Sequence, residues 1–77
     1  MNARRRKELR KALTLIEQAY SIIEQAKEDE SEAYENLPEG LQNSEQGQHM
    51  NGMVFDLEDI VGSLEEHMEC LDGIISG

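Results

Sequence analysis

The sequence predicts an all-α fold: an antiparallel two-helix hairpin that dimerises into a four-helix bundle. Three observations carry this expectation. In the second half, Met50, Val54, Leu57, Val61, Leu64, Met68, Leu71 and Ile75 recur at alternating intervals of four and three. A spacing averaging ~3.5 residues keeps one seam of a helix facing a partner helix along its length. The first half carries a matching seam, Leu9, Leu13, Ile16, Tyr20 and Ile23. Between the two stands one Pro- and Gly-containing segment, Asn36-Leu37-Pro38-Glu39-Gly40, suited to stopping a helix and turning the chain.

Helix 1 is expected from about residue 3 to residue 36. Pro38 disfavours helical geometry at Leu37 and lacks an amide donor. Gly40 supplies the positive φ that a tight turn needs. Leu37 and Leu41 flank this turn and are expected to fold back as an apolar plug over the bundle end. In the loop, 37–44, either Asn43 or Ser44 can cap helix 2 by accepting a bond from a free first-turn amide. Asn43-Ser44-Glu45-Gln46 loosely resembles a capping box. Helix 2 is expected over about 45–75, its start weakened by Gly47 and Asn51-Gly52 so that it frays or begins nearer Met50. Residues 1–77 read as a single helical-hairpin domain.

Folding back at Pro38–Gly40 pairs residues whose numbers sum to roughly 80. Leu9 then meets Leu71, Ile16 meets Leu64, and Ile23 meets Leu57. The same register sets Lys7, Arg10 and Lys11 beside Glu65, Glu66, Glu69 and Asp72. Cations at a helix N-terminus and acids at a C-terminus both oppose the macrodipole. In an antiparallel hairpin they become neighbours and compensate each other.

Each helix carries more apolar surface than one partner covers. Helix 1 adds Ala12, Leu15, Ala19, Ile22 and Ala26, and helix 2 adds Met53, Ile60, His67 and Ile74. A face this wide belongs to a bundle. Leu15, Ile22, Met53, Ile60, His67 and Ile74 are therefore the expected dimer interface. A hetero-complex that offers a helix to a groove is the competing arrangement.

Composition limits the functional classes. At 77 residues the chain is small for an independent core. With no Trp, one Phe and two Tyr it offers almost no stacking surface for bases. No apolar run approaches the ~20 residues of a membrane span, and the basic N-terminus lacks the apolar region of a secretory signal. A single Cys70 forms no internal disulfide and fits a reducing cytosol. Charge is strongly segregated. Residues 1–11 hold six of the seven basic residues against Glu8 alone, a net +5, while residues 12–77 set sixteen acids against Lys27, a net −15. Direct nucleic-acid binding through Arg4–Lys11 is thus disfavoured by the neighbouring acids.

The acid-rich composition invites metal chemistry. Di-iron bundles need a Glu and a His three positions apart, but Leu64 precedes His67 at that distance and Gln46 precedes His49. No calcium loop of the EF-hand type is present. Glu32-x-x-Glu35 with Asp56-x-x-Asp59 loosely mimics the paired acids of all-α nucleotide pyrophosphohydrolases, a spacing that chance supplies in so acidic a chain. The reading is therefore of a non-enzyme with no cofactor and no metal site. His67 reads as a core or interface histidine, or else as a pH-sensitive contact. Cys70 has acidic neighbours and none of the cations that would stabilise a thiolate. Met50, Met53 and Met68 read as core filler, with Met50 and Met53 also suited to an adaptable binding surface.

The stretch Tyr34-Glu35-Asn36-Leu37-Pro38-Glu39-Gly40-Leu41-Gln42-Asn43-Ser44-Glu45 resembles the loop of short acidic helical-hairpin proteins of bacteriophages and mobile elements. These share Asn-Leu-Pro-Glu-x-Leu-Gln-x-Ser-Glu between two helices. Pro38, Gly40 and Ser44 match the turn and cap positions, while Gly52 and Gly62 depart from the strong helix formers usual in helix 2. The resemblance implies a phage or prophage origin and a bacterial cytoplasmic setting, with no defined activity.

These features predict a small acidic protein-binding module that inhibits or modulates a basic host protein. The expected contact surface is Glu28, Asp29, Glu30, Glu32, Glu35, Asp56 and Asp59. A sharper form has this surface imitate nucleic acid against a DNA-binding or defence protein. The alternative is a structural or assembly component of a phage particle.

Overall fold

The computed structural model describes all 77 residues as two helices, α1 over Ala3–Glu35 and α2 over Glu45–Ser76. They pack along their whole length as an antiparallel hairpin, a rod of 58 × 15 × 13 Å. No helix is long and apolar enough to cross a membrane.

Each end of each helix has a local cause. Asn2 caps α1, its side chain accepting the Arg5 amide at 2.9 Å, which offsets a first turn with arginines and no acid. At the other end Gln42 donates from its side chain to the Tyr34 and Glu35 carbonyls, both at 3.3 Å, satisfying acceptors that α1 leaves free. The Leu41 amide bonds back to the Pro38 carbonyl at 3.0 Å, with Gly40 at φ +93, the third-position geometry of a type II turn. Ser44 settles the choice of cap for α2: its hydroxyl accepts the Gly47 amide at 3.2 Å. The capping-box partner is absent because the position that would hold Glu or Gln is Gly47.

Gly47 reverses an expectation. It is the one buried glycine, and α2 begins at Glu45 without fraying to Met50. A Cβ on Gly47 would sit 2.7 Å from the Gln42 carbonyl carbon and closer still to the Leu41 and Gln42 oxygens. Only glycine lets the first turn of α2 tuck under the loop. Leu37 points inward as expected, whereas Leu41 is 49% exposed. The Leu41 backbone carbonyl, not its side chain, faces the cap, where it accepts the Ser44 hydroxyl and, at 3.1 Å, the Ser44 amide.

The inward seam of α2 holds the eight predicted residues, with Val54, Val61 and Ile75 the most buried at 7, 6 and 5% exposure. The seam of α1 runs further than its apolar residues. Half-buried positions continue at the same spacing through Arg6 at one end and Lys27, Glu30 and Tyr34 at the other. The core is thin, and no side chain is fully enclosed.

The register is shifted from the expected sum of 80. Tyr20 bonds to Glu65, a pair summing to 85. Leu37 is the last inward residue before the turn and Gly47 the first after it, so the turn centres near residue 42. The shift of about one helical turn carries Lys7, Arg10 and Lys11 past the acids expected to neutralise them. None of these cations forms an ion pair. The one salt bridge in the molecule is the exposed Arg4–Glu8 pair at 3.5 Å within α1, which contributes little.

Candidate functional site

The hairpin presents two unlike long faces. On α1, residues 17, 21, 24, 28, 31 and 35 form a stripe on one side of the seam, and on α2 the corresponding stripe is 58, 62, 65, 69, 72 and 76. Antiparallel packing places both stripes on the same side of the rod. A groove lined by Glu17, Tyr20, Ser21, Met68, Glu69 and Asp72, with Leu13 at its base, shows them meeting there.

Carboxylates dominate this flank, with serines and Gly62 between them. Glu17, Glu24, Glu58, Glu65, Glu69 and Asp72 project from it, and Lys27, the only cation after Lys11, lies on the seam instead. Tyr20 stands where the two stripes meet. Its hydroxyl lies 2.9 Å from a Glu24 carboxylate oxygen and also contacts Glu65. One phenolic proton serves both carboxylates. The bond to Glu65 first, and then that to Glu24, push the phenol well above its ordinary value by stabilising the protonated form.

The opposite flank is apolar. The second seam of α1, from Ala12 to Ala26, runs along it, and a groove lined by Ala26, Glu30, Met53, Asp56 and Leu57 joins it to the corresponding stripe of α2. Leu15, Ile22, Met53, Ile60, His67 and Ile74, the expected dimer contacts, all fall on this flank and all are exposed. Leu15 at 58% and Ile22 at 71% have almost no cover from their own chain.

No protein-family model, curated protein or solved structure matches this chain. Function must therefore be read from the two flanks.

The acids singled out from the sequence do not form one surface. Glu28 and Glu35 lie on the acidic stripe, with Glu24 between them and Glu17. Asp29 and Asp56 lie on the apolar flank, Glu30 is half-buried on the seam, and Glu32 and Asp59 point away from the partner helix. Nor do Glu32, Glu35, Asp56 and Asp59 converge: no group of three or more His, Cys, Asp or Glu side chains is placed to hold a metal ion. The acids that do line up were missed because they are scattered singly along the sequence, whereas 28–35 forms a visible run. The signal was present in the register of the same 4-3 spacing, each acid one position beyond a seam residue. His67 and Cys70 are exposed on α2. Arg4 to Lys11 form an exposed basic end, except that Arg6 and Leu9 turn inward, and the Arg6 Nε is buried without a partner.

Proposed function

We propose that this chain is a non-enzymatic protein-binding module that engages a basic surface of a host protein through its acidic flank. The supporting observation is the carboxylate stripe on both helices, from Glu17 to Glu35 and Glu58 to Asp72, broken only by Ser21, Ser31 and Gly62 and holding no cation. Such a flank attracts Lys- and Arg-rich partners at long range and offers them charge-assisted hydrogen bonds in place of phosphates. In its sharper form the flank competes with nucleic acid for a DNA-binding or defence protein in the cytoplasm of a bacterial host, as the loop's resemblance to phage hairpins suggests. The module works as a homodimer held by the apolar flank, which leaves the acidic flank of each copy outward. The test is an affinity pull-down from bacterial lysate at low and high salt, comparing the native chain with a Glu17→Lys/Glu65→Lys/Asp72→Lys variant. A basic partner that is lost with salt and lost with the variant is expected. Equal capture by both proteins would remove the acidic flank from the mechanism.

The exposed apolar flank supports a second reading, an assembly component of a phage particle. A fixed, high copy number in purified particles would favour it.

A further inference from the structure

The apolar flank has a symmetry of its own. Along α1 it runs Arg5, Glu8, Ala12, Leu15, Ala19, Ile22, Ala26, Asp29, each three or four residues after the last. The midpoint of its apolar part, Ala12 to Ala26, is Ala19, which is also the midpoint of Ala3–Glu35. Glu8 and then Arg5 stand beyond one end of the apolar stretch, and Asp29 stands beyond the other. Glu8, the one acid at the basic end, is already paired with Arg4.

The whole rod repeats this polarity. Its open end, residues 1–11 with 66–77, carries a net +2, and its loop end, residues 27–53, a net −6. Two rods laid side by side in the same direction would set −6 against −6. Laid in opposite directions they set +2 against −6 at both ends, where opposite charges at short range are not screened away.

We propose, resting on the dimer reading above, that two copies pack apolar flank to apolar flank with their long axes antiparallel, about a two-fold axis passing beside Ala19. This places Arg5 of each copy level with Ala33 of the other, one turn from its Asp29. The small residues Ala12, Ala19 and Ala26 allow close approach of the two α1 helices, with Leu15 of one copy near the level of Ile22 of the other. Ile60 and Ile74 complete the contact from α2. The apolar stretch, about 30 Å long by the helical rise and 15 Å wide, offers roughly 450 Å² per copy, so the charged ends of the rods must join the contact to reach the ~800 Å² per partner of a standard stable interface. The product is a four-helix bundle whose two outer faces are both acidic.

The test is the distance between loop tips. A Glu39→Cys/Cys70→Ser protein carries one spin label at the exposed tip of the turn, and pulsed dipolar spectroscopy on the dimer reads the separation. In the antiparallel pair the tips lie at opposite ends of the 58 Å rod, about 50 Å apart given the helical rise. A dimer with tips less than ~25 Å apart is parallel and overturns the geometry while leaving the dimer standing. A monomer by solution mass at every concentration overturns both. Ile22→Glu is expected to abolish the dimer with unchanged helicity, because Ile22 contributes little to its own hairpin. A helical dimer that survives Ile22→Glu would show that the interface lies elsewhere.

Discussion

Replacing Gly47 by Ala distinguishes this fold from a simple pair of helices. By propensity alone the change should help, since Ala is favoured over Gly within a helix by roughly 1 kcal/mol. The structure reverses the sign. The added Cβ meets the backbone of Leu41 and Gln42, and backbone held by a turn, a capping hydroxyl and the Gln42 side-chain bonds cannot step aside as a flexible side chain can. Overpacking of this kind costs ~1–3 kcal/mol, and three contacts this short, all against backbone, put it at the upper end, so the net loss is about 1–2 kcal/mol after the propensity gain. Gly52 is the internal control. It lies about one and a half turns further along the same helix, and a Cβ there meets nothing within 4 Å. Gly52→Ala should therefore gain ~0.5–1 kcal/mol.

Urea unfolding followed by far-UV circular dichroism measures both, at one fixed protein concentration because the proposed dimer would add to apparent stability. With m near ~1 kcal/mol/M, the two alanine variants should unfold at midpoints separated by more than about 1 M, on opposite sides of the native chain. A Gly47→Ala protein as stable as the native one would refute the tucked first turn and with it the shifted register. A Gly52→Ala protein that loses stability would refute the claim that this position faces open space.

Ser44→Ala removes the acceptor for the Gly47 amide and should cost about 1 kcal/mol in thermal unfolding, whereas Ser44→Asp keeps an acceptor and should cost little. In a Tyr34→Phe background the remaining phenol, Tyr20, should resist ionisation past its ordinary value of 10.0, read by phenolate absorbance, and Glu65→Gln should bring the titration back down. Its folded-state value lies above the unfolded one, so the stabilisation is complete below pH ~10 and is lost as pH rises through the folded value; unfolding should become easier in that alkaline range and less so in Tyr20→Phe. Lys7→Gln together with Lys11→Gln should change stability by less than ~0.5 kcal/mol, since neither forms an ion pair; a loss above ~1 kcal/mol would place them back against the acids of α2.

The seam of α2 was legible residue by residue because its eight members are apolar and its spacing never breaks. The stop of α1 and the cap of α2 were legible too, as Pro38, Gly40 and a Ser at 44 each act through local stereochemistry, whereas the firm start of α2 at Glu45 was not. Three features were hidden for physical reasons. The seam of α1 continues through Lys27 and Glu30, whose aliphatic stems cover the partner while their charges reach water, so polarity concealed the periodicity. The register depended on how closely α2 approaches the loop, which a glycine permits without announcing. The acidic surface was misplaced because a run of acids in sequence wraps around a helix, whereas a face consists of acids three and four apart. The apolar flank was found for the converse reason: Leu15, Ile22, Met53, Ile60 and Ile74 were recognised by spacing, and spacing is what a helix converts into a face.

The separation of the two flanks follows from the direction of the second helix. In each helix most of the apolar residues outside the seam stand just before a seam position, as Leu15, Ile22, Met53 and Ile60 do. Acids such as Glu17, Glu24, Glu58 and Glu65 stand just after one. When two helices run antiparallel, the side that precedes the seam on one lies beside the side that precedes it on the other. Apolar then joins apolar and acid joins acid. In a parallel pair each side would face its opposite, and every groove would mix Ile with Glu. The nine-residue connection from Asn36 to Ser44 is far too short to return a helix to its starting end, so the antiparallel direction is imposed by the chain itself. A short loop thus converts two similarly patterned helices into a rod with one face suited to self-association and one suited to basic partners. Because the hairpin core holds no fully enclosed side chain, covering the apolar face would supply the burial that the single chain lacks. In the proposed dimer that cover is part of the fold's stability, and dilution should then weaken it.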